Sequence, residues 1–280
     1  AGMLQARESL LDHDYKELSI ASRVDGGFKL ERHALHVWPR GGFMLIALPN
    51  PDATFTVTLF LARSGATSFA ALRQGADVAA FFAREFADAV PLLGDVATQF
   101  AANPQGPLGT VRCDRWHAGG RVLLLGDAAH AIVPFHGQGM NCAFEDCVEL
   151  ATLVDGGTDW ESVFERFQQR RQANTDAIAQ MALENYIEMR DTLREPGFLR
   201  QKAIALELER RHPRRFIPRY SMVSFHPEIP YAEALRRGVL QAQILQALDT
   251  EGAGAEAGPI DWDLADRLVT TQLPELELRS

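Results

Sequence analysis

One stretch restricts this chain more than any other: Leu125-Gly126-Asp127-Ala128-Ala129-His130-Ala131-Ile132-Val133-Pro134-Phe135-His136-Gly137-Gln138-Gly139-Met140-Asn141. Residues 121–126 form a short apolar run that ends in Gly-Asp. In an α/β domain a buried strand ends this way at a ligand crevice. Gly126 lets the backbone lie close to a ligand, and Asp127 stands at the strand's carboxyl end, where it can accept hydrogen bonds from sugar hydroxyls. Pro134 starts a rigid loop, and Gly137 and Gly139 again permit close backbone approach. A helix is expected over residues 139–154, with Met140, Phe144, Cys147, Val148 and Ala151 marking one face. Its unpaired N–H groups and positive dipole end suit a phosphate or an anionic ring edge. A connection that used glycine only for its dihedrals would not need an acid, a close-approach loop and an anion-binding helix end together.

The rest of the chain divides by pattern. Residues 15–62 read as β-rich, with apolar runs at Leu35, Val37 and 44–48 separated by the turn Pro39-Arg40-Gly41-Gly42. Residues 54–61 alternate and are rich in β-branched and aromatic side chains, so an antiparallel sheet is expected. Phe81, Phe82, Phe86 and Val90 have helical spacing over 79–90, as do Leu93, Val96 and Phe100 over 92–102. A further strand is expected over 106–112. The second half reads as helical over 160–190, 198–211 and 231–248, broken at Glu195-Pro196-Gly197. Residues 212–230 contain four prolines and are expected to be loop. Residues 251–258, all Gly, Ala and Glu, have the composition of a flexible linker before a last amphipathic helix over 261–273.

Composition removes several function classes. With 280 residues, 46% hydrophobic and 23% charged, the chain can bury a sizeable core. A net charge of −9 argues against a nucleic-acid partner, because phosphate binding needs a basic surface. The three cysteines, Cys113, Cys142 and Cys147, have neither disulfide nor zinc spacing, and no metal site is expected. No apolar run is long enough for a membrane span. A soluble, cytoplasmic protein fits these features.

The Gly-Asp and Pro-x-x-Gly-x-Gly-x-Asn pattern resembles the second FAD-binding motif of class A flavoprotein monooxygenases, the p-hydroxybenzoate hydroxylase-like enzymes. Within that class, Phe135–Asn141 followed by Phe144-Glu145-Asp146-Cys147 is similar to the kynurenine 3-monooxygenases. So are Tyr15-Lys16-Glu17-Leu18, His36-Val37-Trp38-Pro39-Arg40, the stretch 181–190, Arg219-Tyr220-Ser221-Met222-Val223 and Tyr231-Ala232-Glu233-Ala234. The resemblance covers most of residues 15–245. It implies a mixed α+β and α/β architecture: part of a p-hydroxybenzoate hydroxylase-like FAD-binding fold, an antiparallel substrate-domain sheet and a C-terminal helical domain. The expected division is a β-rich region over 1–110, the C-terminal part of the FAD-binding domain over 111–180, a helical substrate cap over 181–250, and a linker with terminal helix over 251–280.

For the site, the resemblance implies FAD contacts from Gly126, Asp127, Pro134, Gly137, Gln138, Gly139, Met140 and Asn141. It implies that Asn185 and Tyr220 hold the amino-acid end of kynurenine and that Phe135 and His136 border the pocket; Glu188 and Met189, one turn on from Asn185, can share its helix face. His130 is expected to be structural. No side chain is expected to act as an acid–base catalyst. The implied reaction is hydroxylation of L-kynurenine to 3-hydroxykynurenine in tryptophan degradation, with NADPH reducing FAD and O₂ forming a C4a-hydroperoxide on the flavin.

The chain departs from the family at three places. It has no Gly-x-Gly-x-x-Gly, it lacks the following Asp-Gly, and it lacks the arginine that meets the substrate carboxylate. The implied partner is therefore the N-terminal part of the enzyme, with a homodimer as the other expectation. The acidic end 273–277 carries no membrane anchor, in keeping with a bacterial-type form. Two other readings stand beside this one: a flavin hydroxylase of a different aromatic, and a non-catalytic partial chain.

Overall fold

Alternation in the first half produces a sheet. A computed structural model describes residues 5–156, 159–248 and 259–278, and divides the chain into two compact units. One comprises residues 9–109 and 187–194; the other comprises 1–8, 110–186 and 195–280. The expected linker 251–258 lies outside the described residues.

The first unit is built on strands β1 (Ala6–Ile20), β2 (His36–Pro39), β3 (Met44–Pro49) and β4 (Phe55–Ala62). With a later strand, β5 (Gln105–Cys113), they form a sheet in the order β2-β3-β4-β1-β5. Neighbours β1–β4, β2–β3 and β3–β4 are antiparallel, with Leu18 opposite Val57 and Leu45 opposite Leu59. The turn between β2 and β3 has Gly41 and Gly42 at φ 69° and 97°, a conformation that costs other residues a steric clash. Along β1 every second residue from Asp14 to Ile20 is buried, the signature of a sheet covered on one face.

That face is covered by α1 (Gly75–Glu85), α2 (Val90–Leu93) and α3 (Val96–Ala102). The helix expected over 79–90 starts earlier, because Gln74 and Asp77 form a reciprocal capping box. The helix expected over 92–102 is split in two at Gly94, whose φ is 69°. The core joins Phe55, Val57 and Leu59 to Phe81, Phe82 and Phe86, whose rings meet edge-on or tilted 5.5–5.9 Å apart. Lys16, buried on β1, donates to the carbonyls of Phe100 and Asn103 at 2.9 and 2.7 Å and lies 4.5 Å from the Phe100 ring centre. Burial lowers its pKa, and those carbonyls compensate part of the loss of water. Strand β5 (Gln105–Cys113) then completes the sheet.

The second unit begins with a two-stranded ladder, β6 (His117–Ala118) and β7 (Val122–Leu123). The strand expected over 121–126 is thus reduced to two residues. A strand needs hydrogen-bonded neighbours, and among the described residues β7 has only β6. The helices are α4 (Asp127–His130), α5 (Gly139–Asp155), α6 (Trp160–Arg190), α7 (Pro196–Arg211), α8 (Arg219–Phe225), α9 (Tyr231–Leu248) and α10 (Trp262–Gln272). Helix α8 corrects the loop expected over 212–230. Its prolines lie outside the helix, and Pro218 occupies the N-cap position, where no N–H is needed.

The Met140, Phe144, Val148 face of α5 is exposed, at 68, 61 and 68%. The buried side of α5 carries Cys142, Asp146 and Leu153 instead. Apolar contacts hold α6, α8 and α9 through Ile178, Met181, Met222 and Ala234, and α7, α9 and α10 through Leu208, Ile244 and Val269.

Replacing fully buried Phe82 by Ala should destabilise the sheet unit by about 3–5 kcal/mol through lost apolar transfer and a cavity. The midpoint of urea unfolding, followed by far-UV circular dichroism, measures this.

Candidate functional site

The Gly-Asp turn is shaped by what lies beneath it. Gly126 has φ 52° and ψ −138°, a conformation open almost only to glycine, and a Cβ there would lie 3.0 Å from the Cβ of Ala143 on α5. Its N–H donates to Asp146 Oδ2 at 2.9 Å. Asp127 starts α4 and faces solvent. Past α4, Pro134–His136 forms a 3₁₀ turn that Gly137 closes in the left-handed region at φ 67°. Gln138 precedes α5, and its side chain makes no capping hydrogen bond to the first N–H groups of this 17-residue helix. Pro134, Gly137, Met140 and Asn141 are exposed, while Phe135, His136 and Gln138 are buried. The segment therefore turns one set of residues outward and anchors itself with the other.

The anchors form a continuous polar network. Asp146 is fully buried and accepts from Gly126, from His130 Nε2 at 2.6 Å and from Arg171 Nε at 2.7 Å. Arg171 of α6 also donates to Glu145 at 2.8 Å and to the Cys142 carbonyl at 3.1 Å. The Tyr231 hydroxyl of α9 donates to Glu145 at 2.7 Å and lies 3.3 Å from Gln138 Oε1, which also accepts from Asn141 at 2.9 Å. One chain of contacts thus runs from the Gly-Asp turn to the loop at the start of α5.

Burial works to raise the Asp146 pKa, but hydrogen bonds from His130, Gly126 and Arg171 outweigh it and leave the pKa below the ordinary value. Burial likewise opposes the charge on Arg171, and its bond to Asp146 prevails. Burial pushes the Cys142 thiol up to about 12 and, with Glu145, raises the Tyr231 hydroxyl, so both stay protonated. A cavity of about 570 Å³ opens beside the network, with Asn141, Glu145 and Tyr231 in its wall.

A second cluster holds the loop from the other side. Asn185 of α6 donates to the Phe135 carbonyl at 2.6 Å, and the Phe135 and Tyr186 rings stack 4.3 Å apart. His136 stacks on Tyr220 of α8, with centres 5.3 Å apart and planes 17° apart. His136 is 5% exposed, and its Nδ1 has no hydrogen-bond partner among the described residues. Burial, reinforced by the positive charge of Arg219 and opposed by Glu184, lowers its pKa to about 4, so the ring is neutral near pH 7. Tyr220 remains half exposed.

Known proteins place this arrangement. The family model described as "FAD binding domain" matches residues 91–182. The kynurenine 3-monooxygenase of Stenotrophomonas maltophilia is 53% identical over 96% of this chain, and that of Xanthomonas campestris pv. campestris is 50% identical over 96%. That of Xanthomonas axonopodis pv. citri is 48% identical over 98%. Over nearly its whole length the chain is similar to enzymes of the kynurenine 3-monooxygenase family. It spans 58% of the length of the first two relatives and 60% of the third. Among solved structures, a tetrameric 2-methyl-3-hydroxypyridine-5-carboxylic acid oxygenase matches with a TM-score of 0.54 and 20% identity, over 69% of this chain and 52% of that one. Klebsiella pneumoniae HpxO, complexed with FAD and uric acid, matches with 0.53 and 16%, over 66% and 46%. The fold is that of the p-hydroxybenzoate hydroxylase-like FAD enzymes in part, with an antiparallel sheet and a helical C-terminal region. Among the described residues no helix is long and apolar enough to cross a membrane.

Within the second unit, the residues singled out for FAD and four of those singled out for substrate, Phe135, His136, Asn185 and Tyr220, occur on one segment and the helices that grip it. Asn185 and Tyr220 come from different helices, and each engages a neighbour in the Phe135-His136 pair. Glu188 and Met189 follow on α6; Met189 is buried and Glu188 partly so. Sequence reasoning did not single out Arg171, Asp146, Glu145 or Tyr231 as a supporting set. The available signal was the acidic pair Glu145-Asp146 next to Cys142 on a helix otherwise rich in apolar residues.

Asp146→Ala should destabilise the protein by about 3–5 kcal/mol, because it leaves Arg171 and His130 buried without their acceptor; urea titration at pH 7 checks this. His136 gives a separate pH signature. Its folded pKa near 4 lies below its ordinary 6.5, so the unfolded chain takes up its proton first. Stability should be full above pH 6.5 and fall as the pH drops toward 4, and His136→Gln should flatten that slope in unfolding curves taken across the range. The Asp146 contribution is lost only at lower pH, below 3.8.

Proposed function

We propose that this chain is the flavin- and substrate-facing segment of an enzyme that hydroxylates L-kynurenine to 3-hydroxykynurenine. The balanced reaction consumes L-kynurenine, O₂, NADPH and a proton, and yields 3-hydroxykynurenine, NADP⁺ and water. The observation that carries the reading is the Gly126–Asn141 segment: it keeps the family's pattern, and Asp127, Pro134, Gly137, Met140 and Asn141, all assigned to the cofactor, are exposed on it. FAD, reduced by NADPH, supplies the oxygen activation when bound.

The fit to FAD rests on space and on donors. Gly126 lets the turn pack closely on Ala143 of α5, and at exposed Gly137 an added Cβ would meet nothing within 4 Å, so a flat ring system can approach the main chain there. Asp127 is placed to accept from the ribose or ribitol hydroxyls. The backbone from Gly137 to Asn141 would hold the ring edge, where the first N–H groups of α5 would favour negative charge. Pro134 and Met140 contribute contact area. The network under Gln138 keeps this surface rigid, which lowers the cost of ordering on binding.

On the substrate side, Asn185 and Tyr220 hold the amino-acid end, and Phe135 and His136 border the aromatic ring. The neutral His136 offers a hydrogen-bonding edge without adding positive charge. These groups orient the ring and exclude water; none needs to act as acid or base.

The test uses a protein of full family length that carries this segment. It should purify with bound yellow flavin, and L-kynurenine should accelerate NADPH oxidation with formation of 3-hydroxykynurenine. Asp127→Ala should weaken FAD binding, whereas Asn185→Ala and Tyr220→Phe should raise KM for kynurenine by about tenfold with flavin content intact. A colourless protein, or faster coupled turnover of another aromatic, would sink the reading.

A further inference from the structure

The two substrate-side residues stand next to an ion pair. Glu184 precedes Asn185 on α6, and Arg219 precedes Tyr220 at the start of α8. Arg219 Nη1 donates to Glu184 Oε2. Successive side chains on a helix point in different directions, so the pair lies beside Asn185 and Tyr220 without replacing them. What the pair fixes is the separation of the two backbones that carry them.

A third residue shapes the same contact. Gly238 lies inside α9, where glycine is the weakest helix former after proline. A Cβ at this position would meet Arg219 Cδ at 2.6 Å, Cγ at 3.2 Å and Cβ at 3.4 Å. The aliphatic stem of Arg219 thus runs across the gap that Gly238 leaves. The link between α9 and the segment entering α8 is reinforced by Gln241, which donates to the Ile217 carbonyl at 2.7 Å. Arg219 is held against α9 by its stem and to α6 by its head.

We infer that Glu184, Arg219 and Gly238 form a positioning unit that sets the distance between Asn185 and Tyr220, and so governs how tightly the amino-acid end of the substrate is held. The inference rests on the reading of Asn185 and Tyr220 as substrate-binding. It assigns no contact with substrate to the three residues themselves. Because Asn185 also ties to Phe135, and Tyr220 stacks on His136, a shift of α8 against α6 would be felt on both sides of the loop.

Gly238→Ala separates positioning from folding. Alanine favours the helix, and the atoms it displaces belong to a flexible side chain, so α9 is kept and Arg219 moves. In a flavin-loaded protein of full family length, Gly238→Ala, Glu184→Gln and Arg219→Gln should each raise KM and the calorimetric Kd for L-kynurenine by about five- to tenfold, with kcat and bound FAD within about twofold of the parent. The Glu184→Gln/Arg219→Gln double variant should be no worse than the weaker-binding single variant, since both remove one interaction. Thermal unfolding of Gly238→Ala should match or exceed the parent. Unchanged kynurenine affinity in all three single variants, while Asn185→Ala and Tyr220→Phe weaken it, overturns the inference. Fully additive losses in the double variant overturn it as well. If Asn185→Ala and Tyr220→Phe themselves leave affinity unchanged, the functional reading fails instead.

Discussion

Asp146 is fully buried and accepts from three donors. A buried carboxylate is unfavourable unless its acceptor sites are filled, and here a backbone N–H, an imidazole and a guanidinium fill them. Each donor comes from a different place: the Gly-Asp turn, helix α4 and helix α6. Removing any one would leave a buried polar group unmatched, so the three elements are specified together. Through Arg171 the same constraint reaches Glu145, Tyr231 and Gln138, and hence the loop that precedes α5. The shape of the segment from Gly126 to Asn141 is therefore set largely by groups outside it.

Much of this was legible in the sequence, for reasons that differ by region. The sheet was readable because β-branched and aromatic residues alternate over 54–61, and because Gly41-Gly42 can only be a turn of unusual dihedrals. The Gly-Asp and Pro-x-x-Gly-x-Gly-x-Asn pattern was readable because Gly126 and Gly137 each adopt a positive φ that other residues rarely take. Gly94 escaped the reading because one residue of positive φ can split a helix whose apolar spacing continues across it. Helix α8 escaped it because four prolines suggested irregular chain, although prolines are harmless at and beyond a helix end.

The supporting network was not legible, and this has a physical cause. His130 and Asp146 lie on separate elements, and Arg171 lies on a third; no local periodicity relates them. A charged residue in a helical stretch reads as a solvated one until tertiary structure buries it. The Met140, Phe144, Val148 spacing marks a regular apolar stripe that the described residues leave exposed. Pattern reports which residues share a face, and only packing decides which face turns inward.

The contact between Gly126 and Ala143 carries a consequence for portability. The turn can sit where it does because two residues without bulk meet, one on the turn and one a full turn into α5. A loop cut from 126 to 141 and grafted elsewhere would keep every letter of its motif and leave behind Ala143, Asp146 and Arg171. It would carry the spelling of a flavin loop to a new scaffold without its curvature. Transplanting the shape requires at least the first two turns of α5 and the facing stretch of α6.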